Sequence, residues 1–261
     1  MNKPADGPIP LISVVTASFN AIEGLRDTVE SVAGQTFRSF EHIVIDGGSG
    51  DGTREYLEAL GGTVRWVSEP DDGIADALNK GVAMARGDYI LVLQGGDRFV
   101  DRDSLSQAAE QLTEGPGLLA FSVILEELGG RRLMRSRDLA FRSLFHMPMP
   151  HQGLIASRDL FHHIGGFDTS YCIAMDYDWL LRARNAGAKT QIDARPLSVM
   201  LADGISSRRD WEGLSRRLTE FRRAQFAHSR GRVARTILRL YWALYPTYRR
   251  GMARLRGNAA G

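Results

Sequence analysis

Glu41-His42-Ile43-Val44-Ile45-Asp46-Gly47-Gly48-Ser49-Gly50-Asp51-Gly52-Thr53 is an apolar, β-branched run that stops at a carboxylate and passes through glycines to a hydroxyl. The run reads as a strand, the glycines as a tight turn, and Thr53 as the cap of a helix beginning with Arg54. Strand, polar turn and helix in that order is how an open α/β sheet places a ligand at the carboxyl end of a strand. A carboxylate there accepts hydrogen bonds from a base or ribose, and glycines let backbone N–H groups approach a phosphate. A Gly/Asp cluster alone equally describes a surface turn, so the decision rests on the flanking chain.

On the amino-terminal side, Leu11 to Thr16 reads as a buried strand. A helix from about Ala21 to Gln35 follows, with Asn20 as N-cap and Leu25, Val29 and Val32 as its apolar stripe. On the other side the spacing predicts a strand at Thr63 to Ser68, a helix at Ile74 to Arg86 stopped by Gly87, and an apolar strand at Tyr89 to Leu93. This alternation implies an α/β fold with a mostly parallel, doubly wound sheet.

From Asp101 the alternation loosens into a smaller, mixed region. A helix at Ser104 to Leu112 precedes a strand at Leu118 to Glu126, and Leu128-Gly129-Gly130-Arg131 closes a hairpin onto Arg132 to Ser136. A short strand then leads to a helix after Ser157, and another helix is expected from Met175 to Ala186. Past Arg208 the pattern is helical and interrupted at Pro246.

Three predicted strand ends carry acidic clusters: Asp46, Glu69-Pro70-Asp71-Asp72-Gly73, and Asp97. In a parallel sheet they open on one rim. That convergence suits a nucleotide diphosphate with Mg²⁺ or Mn²⁺, which takes oxygen ligands shared between carboxylate and phosphate.

The 261 residues suffice for one large domain with a sizeable core, and 43% hydrophobic with 25% charged residues is ordinary for a globular protein. Cys172 is the one cysteine, which excludes an intrachain disulfide and points to a reducing compartment. The first ten residues lack the pattern of a secretory signal, and no apolar run is long enough to span a bilayer. The expectation is a cytoplasmic protein that meets a membrane only from its inner side.

The net charge of +2 hides an asymmetry. From Arg208 to Arg256 the chain is rich in arginine, opposed only by Asp210, Glu212 and Glu220. Val233, Ile237, Leu240, Tyr241, Leu244 and Tyr248 form a stripe among these arginines. The stripe describes either a helix lying on an anionic membrane or one packed on the domain with its arginines in water. No recognition motif for nucleic acid accompanies the charge.

Ser13-Val14-Val15-Thr16-Ala17-Ser18-Phe19-Asn20, the Asp46 turn, Gly73-Ile74-Ala75-Asp76-Ala77-Leu78-Asn79-Lys80-Gly81 and Leu93-Gln94-Gly95-Gly96-Asp97 stand in the order and spacing of family 2 glycosyltransferases. His151-Gln152 and Ala174-Met175-Asp176-Tyr177-Asp178-Trp179 also resemble that family. The likeness is to the branch that builds bacterial exopolysaccharide, lipopolysaccharide and phenolic glycolipid sugars, and it covers roughly residues 10–205.

The resemblance implies a GT-A fold, with a nucleotide-sugar-binding half in residues 1–100, an acceptor-binding and catalytic-base half in residues 101–207, and a basic helical tail in residues 208–261. It implies inverting transfer of a sugar from a nucleotide diphosphate to a hydroxyl of a lipid-linked glycan or glycolipid. Thr16, Ser18 and Asn20 would lie beneath the nucleoside, Asp46 would bond the base or ribose, and Asp76 and Lys80 would face the diphosphate or sugar. Asp97 matches the last carboxylate of the metal-binding region, which in many relatives is an Asp-Ser-Asp-Asp run and here is Gln94-Gly95-Gly96-Asp97. Mn²⁺ or Mg²⁺ would therefore have one protein carboxylate. Asp176 matches the general base, with Asp178 the other candidate, and His151 and Gln152 fall on the acceptor side. Trp179, Leu180 and Leu181 read as core.

The lost acids leave a rival reading of a nucleotide-sugar-binding scaffold, against which Asp97 and Asp176 stand. A sugar nucleotidyltransferase would need a Gly-rich loop with a basic residue after the first strand, and a dinucleotide enzyme a G-x-G-x-x-G motif; neither is present.

Overall fold

The computed structural model describes residues 8–115, 117–127, 129–201 and 211–257. Leu128 of the expected hairpin turn, residues 1–7 of the polar start and the first part of the basic tail, including Arg208, Arg209 and Asp210, lie outside the described residues. The described chain opens with β1 (Ile12–Ser18), α1 (Ile22–Ala33), β2 (Phe40–Asp46), α2 (Thr53–Ala59), β3 (Arg65–Ser68), α3 (Ile74–Met84) and β4 (Tyr89–Val92). It continues through β5 (Arg98–Phe99), α4 (Ser104–Leu112), β6 (Leu118–Glu127), β7 (Gly130–Met134), β8 (Leu154–Ser157), α5 (Arg158–Ile164), α6 (Met175–Asn185), β9 (Thr190–Leu201), α7 (Trp211–His228) and α8 (Arg232–Gly257).

Among the described residues these strands form one nine-stranded sheet in the order β3-β2-β1-β4-β8-β6-β9-β5, with β7 paired to β6. The strands β3, β2, β1 and β4 are mutually parallel. β8 pairs antiparallel with both β4 and β6 and begins the mixed half, in which β6 and β9 run parallel. The sheet thus continues without a break from the first half into the second.

β1 is buried along its whole length, as expected of a central strand covered on both faces. Its side chains alternate between two cores. Val15 and Ala17 pack with Leu78 of α3, Phe161 of α5 and Trp179 and Leu180 of α6. Ile12 and Val14 join Val32 of α1 and Leu105, Ala108 and Leu112 of α4. Trp179, Leu180 and Leu181 are core, as expected. The approach of α3 to β1 depends on Gly81, where a Cβ would overlap Val15 Cγ1. Gly81→Val is therefore expected to destabilise the fold by about 1–3 kcal/mol through overpacking, read as a lower denaturant midpoint.

Three local expectations are corrected. Neither Asn20 nor Thr53 caps by its side chain: α1 begins at Ile22 and α2 at Thr53, after Gly52 at φ 92°. Asp51 serves both helices, accepting from Ile22 N at 2.9 Å and from the Thr53 hydroxyl at 2.6 Å. The tail breaks at Gly231, at φ 86°, and not at Pro246, which lies inside α8. Proline removes one helical hydrogen bond, but Tyr241, Trp242 and Tyr245 beside it are packed on α7 and keep the segment helical.

β9 had no counterpart among the predicted strands. It contains Pro196, and the β6–β9 register shifts around Ser122, which is paired with that proline. Such an irregularity is where a sheet tolerates proline.

Candidate active site

The carboxyl ends of β1, β2, β3 and β4 share one rim because the four strands are parallel. Asp46 ends β2 fully buried. One of its carboxylate oxygens accepts from the Ser49 hydroxyl, and the other accepts from Ser49 N at 3.1 Å and the Ser68 hydroxyl at 2.7 Å. It fastens the glycine turn to β3. Asn20, at φ 47°, fastens the same turn to β1: its amide N–H donates to Ser49 Oγ at 2.7 Å and its side-chain oxygen accepts from Gly50 N at 3.0 Å.

Thr16 does not reach the rim. It is fully buried and its hydroxyl shares a 3.0 Å hydrogen bond with His42 Nε2 on β2. Burial pushes the His42 imidazole down from 6.5 to about 4, because a charged ring cannot be solvated there. A lowered histidine pKa means that the unfolded chain binds more protons between these values. Stability is then complete above pH 6.5 and falls as pH drops toward about 4. The loss expected is on the order of 3 kcal/mol, and His42→Gln should flatten that part of a stability–pH curve.

Ser18 is buried at the end of β1 and its hydroxyl has no protein partner among the described residues. It lies against Gly95, where a Cβ would come within 3.5 Å of Ser18 Oγ. The next turn carries Asp97, buried, with one carboxylate oxygen accepting from Gln94 N at 3.0 Å. Thr28 of α1 pins this turn, donating to Asp97 O at 2.7 Å and accepting from Gly96 N at 2.9 Å.

On the β3–α3 side, Lys80 pairs with Glu69 at 3.0 Å and Asp76 at 3.2 Å. Lys80 donates to Glu69 and to Asp76, and these two hydrogen bonds raise its pKa. Asp76 accepts from Asp72 N at 3.3 Å, and this bond together with Lys80 holds its carboxyl low. Lys80 therefore stays cationic at the rim.

The second half adds a histidine and a carboxylate. His151 and Gln152 lie in a 3₁₀ turn between Pro150 and β8, and Asp176 in the first turn of α6. Asp176 Oδ2 is 3.1 Å from His151 Nδ1, and Asp176 Oδ1 accepts from Tyr177 N at 2.7 Å. Burial pulls the imidazole pKa down, but the hydrogen bond to Asp176 and the charges of Asp176 and Asp97 outweigh it and leave it raised. His151 thus senses both the rim carboxylate and the α6 carboxylate. Its Nε2 and the Gln152 side-chain oxygen are buried without a partner among the described residues. A small cavity of about 20 Å³ beside His151 is lined by His151, Asp176, Phe161, Phe167 and Trp179.

Asp178 is elsewhere engaged. Buried on α6, it accepts from Arg182 Nε at 3.0 Å and meets His228 Nε2 of α7 at 2.7 Å. It ties α6 to α7 and has no oxygen turned over to the His151 pair.

Three residues had no assigned role in the sequence reading. Phe19 stands at the end of β1 with 63% of its surface exposed, and an aromatic in a polar loop at a strand's carboxyl end was a legible signal. A Cβ at Gly47 would lie 2.7 Å from Asp71 Oδ2 and 3.2 Å from Phe19 Cδ2, so the missing side chain leaves room for Asp71 beside Phe19. Asn79 of α3 donates to Phe167 O at 2.8 Å and accepts from Phe167 N at 2.7 Å. That pair joins the two halves across the sheet and is visible only in three dimensions.

A divalent cation fits this rim only as a shared ligand. Among the described residues no group of three or more His, Cys, Asp or Glu side chains could hold one. Asp97 supplies one carboxylate, and the remaining ligands would have to come from phosphate oxygens and water.

The family model "Glycosyl transferase family 2" matches residues 13–176, a span that runs from the start of β1 to Asp176. This chain belongs to glycosyltransferase family 2. The enzyme is 40% identical over 180 residues to an uncharacterized glycosyltransferase of Mycobacterium tuberculosis, covering 67% of this chain and 69% of that one. It is 30% identical over 178 residues to a PGL/p-HBAD biosynthesis glycosyltransferase of Mycobacterium bovis, covering 66% and 69%.

The fold is GT-A, shared with solved structures of low identity. The enzyme superposes on a mannosyltransferase of Pyrobaculum calidifontis, solved with GDP-Man and Mn²⁺, with a TM-score of 0.67 at 21% identity over 99% of this chain and 79% of that one. It superposes on S. aureus TarS, solved with UDP-GlcNAc, with a TM-score of 0.65 at 18% identity over 83% of this chain and 66% of that one.

Proposed function

We propose that this glycosyltransferase moves a sugar from a nucleotide diphosphate to a hydroxyl of a lipid-linked glycan or glycolipid of a bacterial cell surface, with inversion at the anomeric carbon. The observation that carries the reading is His151, which bonds Asp176 and feels the charge of Asp97. The acid of the second half thus bonds a histidine on which the rim acid of the first half also acts through its charge, as joining a donor to an acceptor requires.

In this reading Phe19 offers the base a face and Asp71 or Asp46 hydrogen-bonds base or ribose, while Lys80 and Asp97 lie toward the diphosphate. The acceptor hydroxyl enters beside His151 and Gln152. Its oxygen bonds to the anomeric carbon from the face opposite the diphosphate, the bond from that carbon to the diphosphate breaks, and the hydroxyl proton passes to Asp176. His151 holds the carboxylate in place. Mn²⁺ or Mg²⁺ bound through Asp97 would offset the charge of the leaving diphosphate, as would backbone N–H groups and Lys80.

The relative named for PGL/p-HBAD biosynthesis supports a glycolipid acceptor, and the UDP-GlcNAc and GDP-Man complexes of the neighbours support a nucleotide-sugar donor. Among the described residues no helix is long and apolar enough to cross a membrane; in this reading a lipid-linked acceptor is met from the cytoplasmic face. A panel of nucleotide sugars scored by nucleotide diphosphate release, with product anomers read by NMR, tests the reading. Release with no donor, or product retaining the donor's configuration, would overturn it. Tight nucleotide-sugar binding without transfer to any acceptor would favour the scaffold reading instead.

A further inference from the structure

The carboxyl-terminal stripe is divided between two faces of α8. One face is packed: Leu238 and Trp242 are buried with Tyr241 and Tyr245 against Leu214, Leu218 and Phe221 of α7. A second face carries Val233, Leu240, Leu244 and Tyr248, exposed to 74%, 64%, 73% and 60%, with Ile237 at 38%. At 3.6 residues per turn these five positions fall in an arc of about 80°. Such a stripe of large apolar side chains on a helix already held from behind is not needed for folding, and contiguous exposed apolar surface marks an interaction site.

Charge identifies the occupant. Arg232, Arg235 and Arg239 are exposed, and the same helical geometry puts them within about 60° of one another on a separate polar face, beginning about 80° beyond the near border of the stripe. No Asp or Glu occurs anywhere after Glu220. A second copy of the chain would bring one basic tail against another. Nucleic acid would leave the leucines without a use. An anionic bilayer takes both features, the stripe among the acyl chains and the arginines at the headgroups.

We propose that α8 lies flat on an anionic lipid bilayer through Val233, Ile237, Leu240, Leu244 and Tyr248, with Arg232 and Arg239 reaching the headgroups from its polar face. The seat is connected to the candidate base through hydrogen bonds. Trp242 Nε1 of α8 donates to Gln225 Oε1 of α7 at 2.6 Å, and Gln225 Nε2 donates to the Tyr177 hydroxyl at 3.1 Å, one residue from Asp176. Glu220 of α7 also accepts from Ile173 N at 2.7 Å and Ala174 N at 2.9 Å, just before α6. The docked helix therefore fixes the height of Asp176 above the surface. That consequence for catalysis rests on the proposed function, whereas docking itself does not.

The test is flotation of the full-length chain, without substrates, on vesicles of phosphatidylcholine alone and of phosphatidylcholine with phosphatidylglycerol. Binding is expected on the anionic vesicles, weak on the neutral ones, and lost in high salt. Leu240→Asp with Leu244→Asp should abolish it with an unchanged unfolding midpoint, since both side chains are exposed. Arg232→Gln with Arg239→Gln should weaken it roughly 30-fold. Full-length protein that ignores anionic vesicles, or binds them as well with either pair changed, would overturn the proposal, as would self-association that the aspartates abolish without any vesicle binding. Vesicle binding without transfer to a lipid-held acceptor would leave docking standing and overturn the acceptor assignment alone.

Discussion

Asp176→Asn is expected to lower turnover by roughly 10²-fold or more while donor affinity hardly changes. The amide keeps the size of the carboxylate and can still accept from Tyr177 N, as Asp176 Oδ1 does at 2.7 Å. It cannot take the proton of the attacking hydroxyl. Only the step in which that proton moves is affected, so nucleotide diphosphate release should fall while calorimetric binding of the nucleotide sugar is preserved. Asp178→Asn supplies the contrast. Its parent carboxylate is held by Arg182 and His228, so the change should appear in the unfolding midpoint more than in turnover. If Asp178→Asn were to stop transfer at an unchanged midpoint while Asp176→Asn stayed active, the base would be Asp178.

The parallel half was legible because each of its elements follows from local pattern. The β2 run ends at Asp46 as expected, α4 spans Ser104–Leu112 as expected, and the three acidic strand ends share a rim as soon as the strands are parallel. What the sequence could not show is which polar groups spend their hydrogen bonds inside. Thr16 sits at the expected strand and yet is consumed by His42, a partner 26 positions away. Asn20 and Thr53 have the composition of caps, but one aspartate, Asp51, reaches both helices. Asp178 differs from Asp176 by two positions, and only the packing of α7 separates their surroundings. β9 was hidden by Pro196, whose cost is absorbed by an irregular register that no local rule announces. Resemblance supplied the order of the motifs, and long-range contacts decided which of their residues remain available to a ligand.

Asp97→Ala is expected to lower transfer by roughly 10²–10³-fold and to weaken nucleotide binding much more in Mn²⁺ or Mg²⁺ than in chelator. The asymmetry is the informative part. Asp97 is held by Gln94 N, and its turn is fixed by Thr28, so the carboxylate is set in place before any ligand arrives. With the other acids of the motif replaced by Gln94 and Gly96, a cation here would take most of its ligands from the diphosphate and water. Its affinity then depends on the nucleotide, and loss of Asp97 should be felt only when both are supplied. Gly96→Asp should not compensate, because residue 96 sits at φ 103°, where a side chain is strained. Titrations of parent and variant in cation and in chelator separate the outcomes. Equal binding by the two proteins in both conditions would remove Asp97 as a ligand. A parent enzyme fully active in chelator would leave the leaving diphosphate to Lys80 and the backbone N–H groups alone, and the glycines of this motif would then mark a transferase that works without a metal.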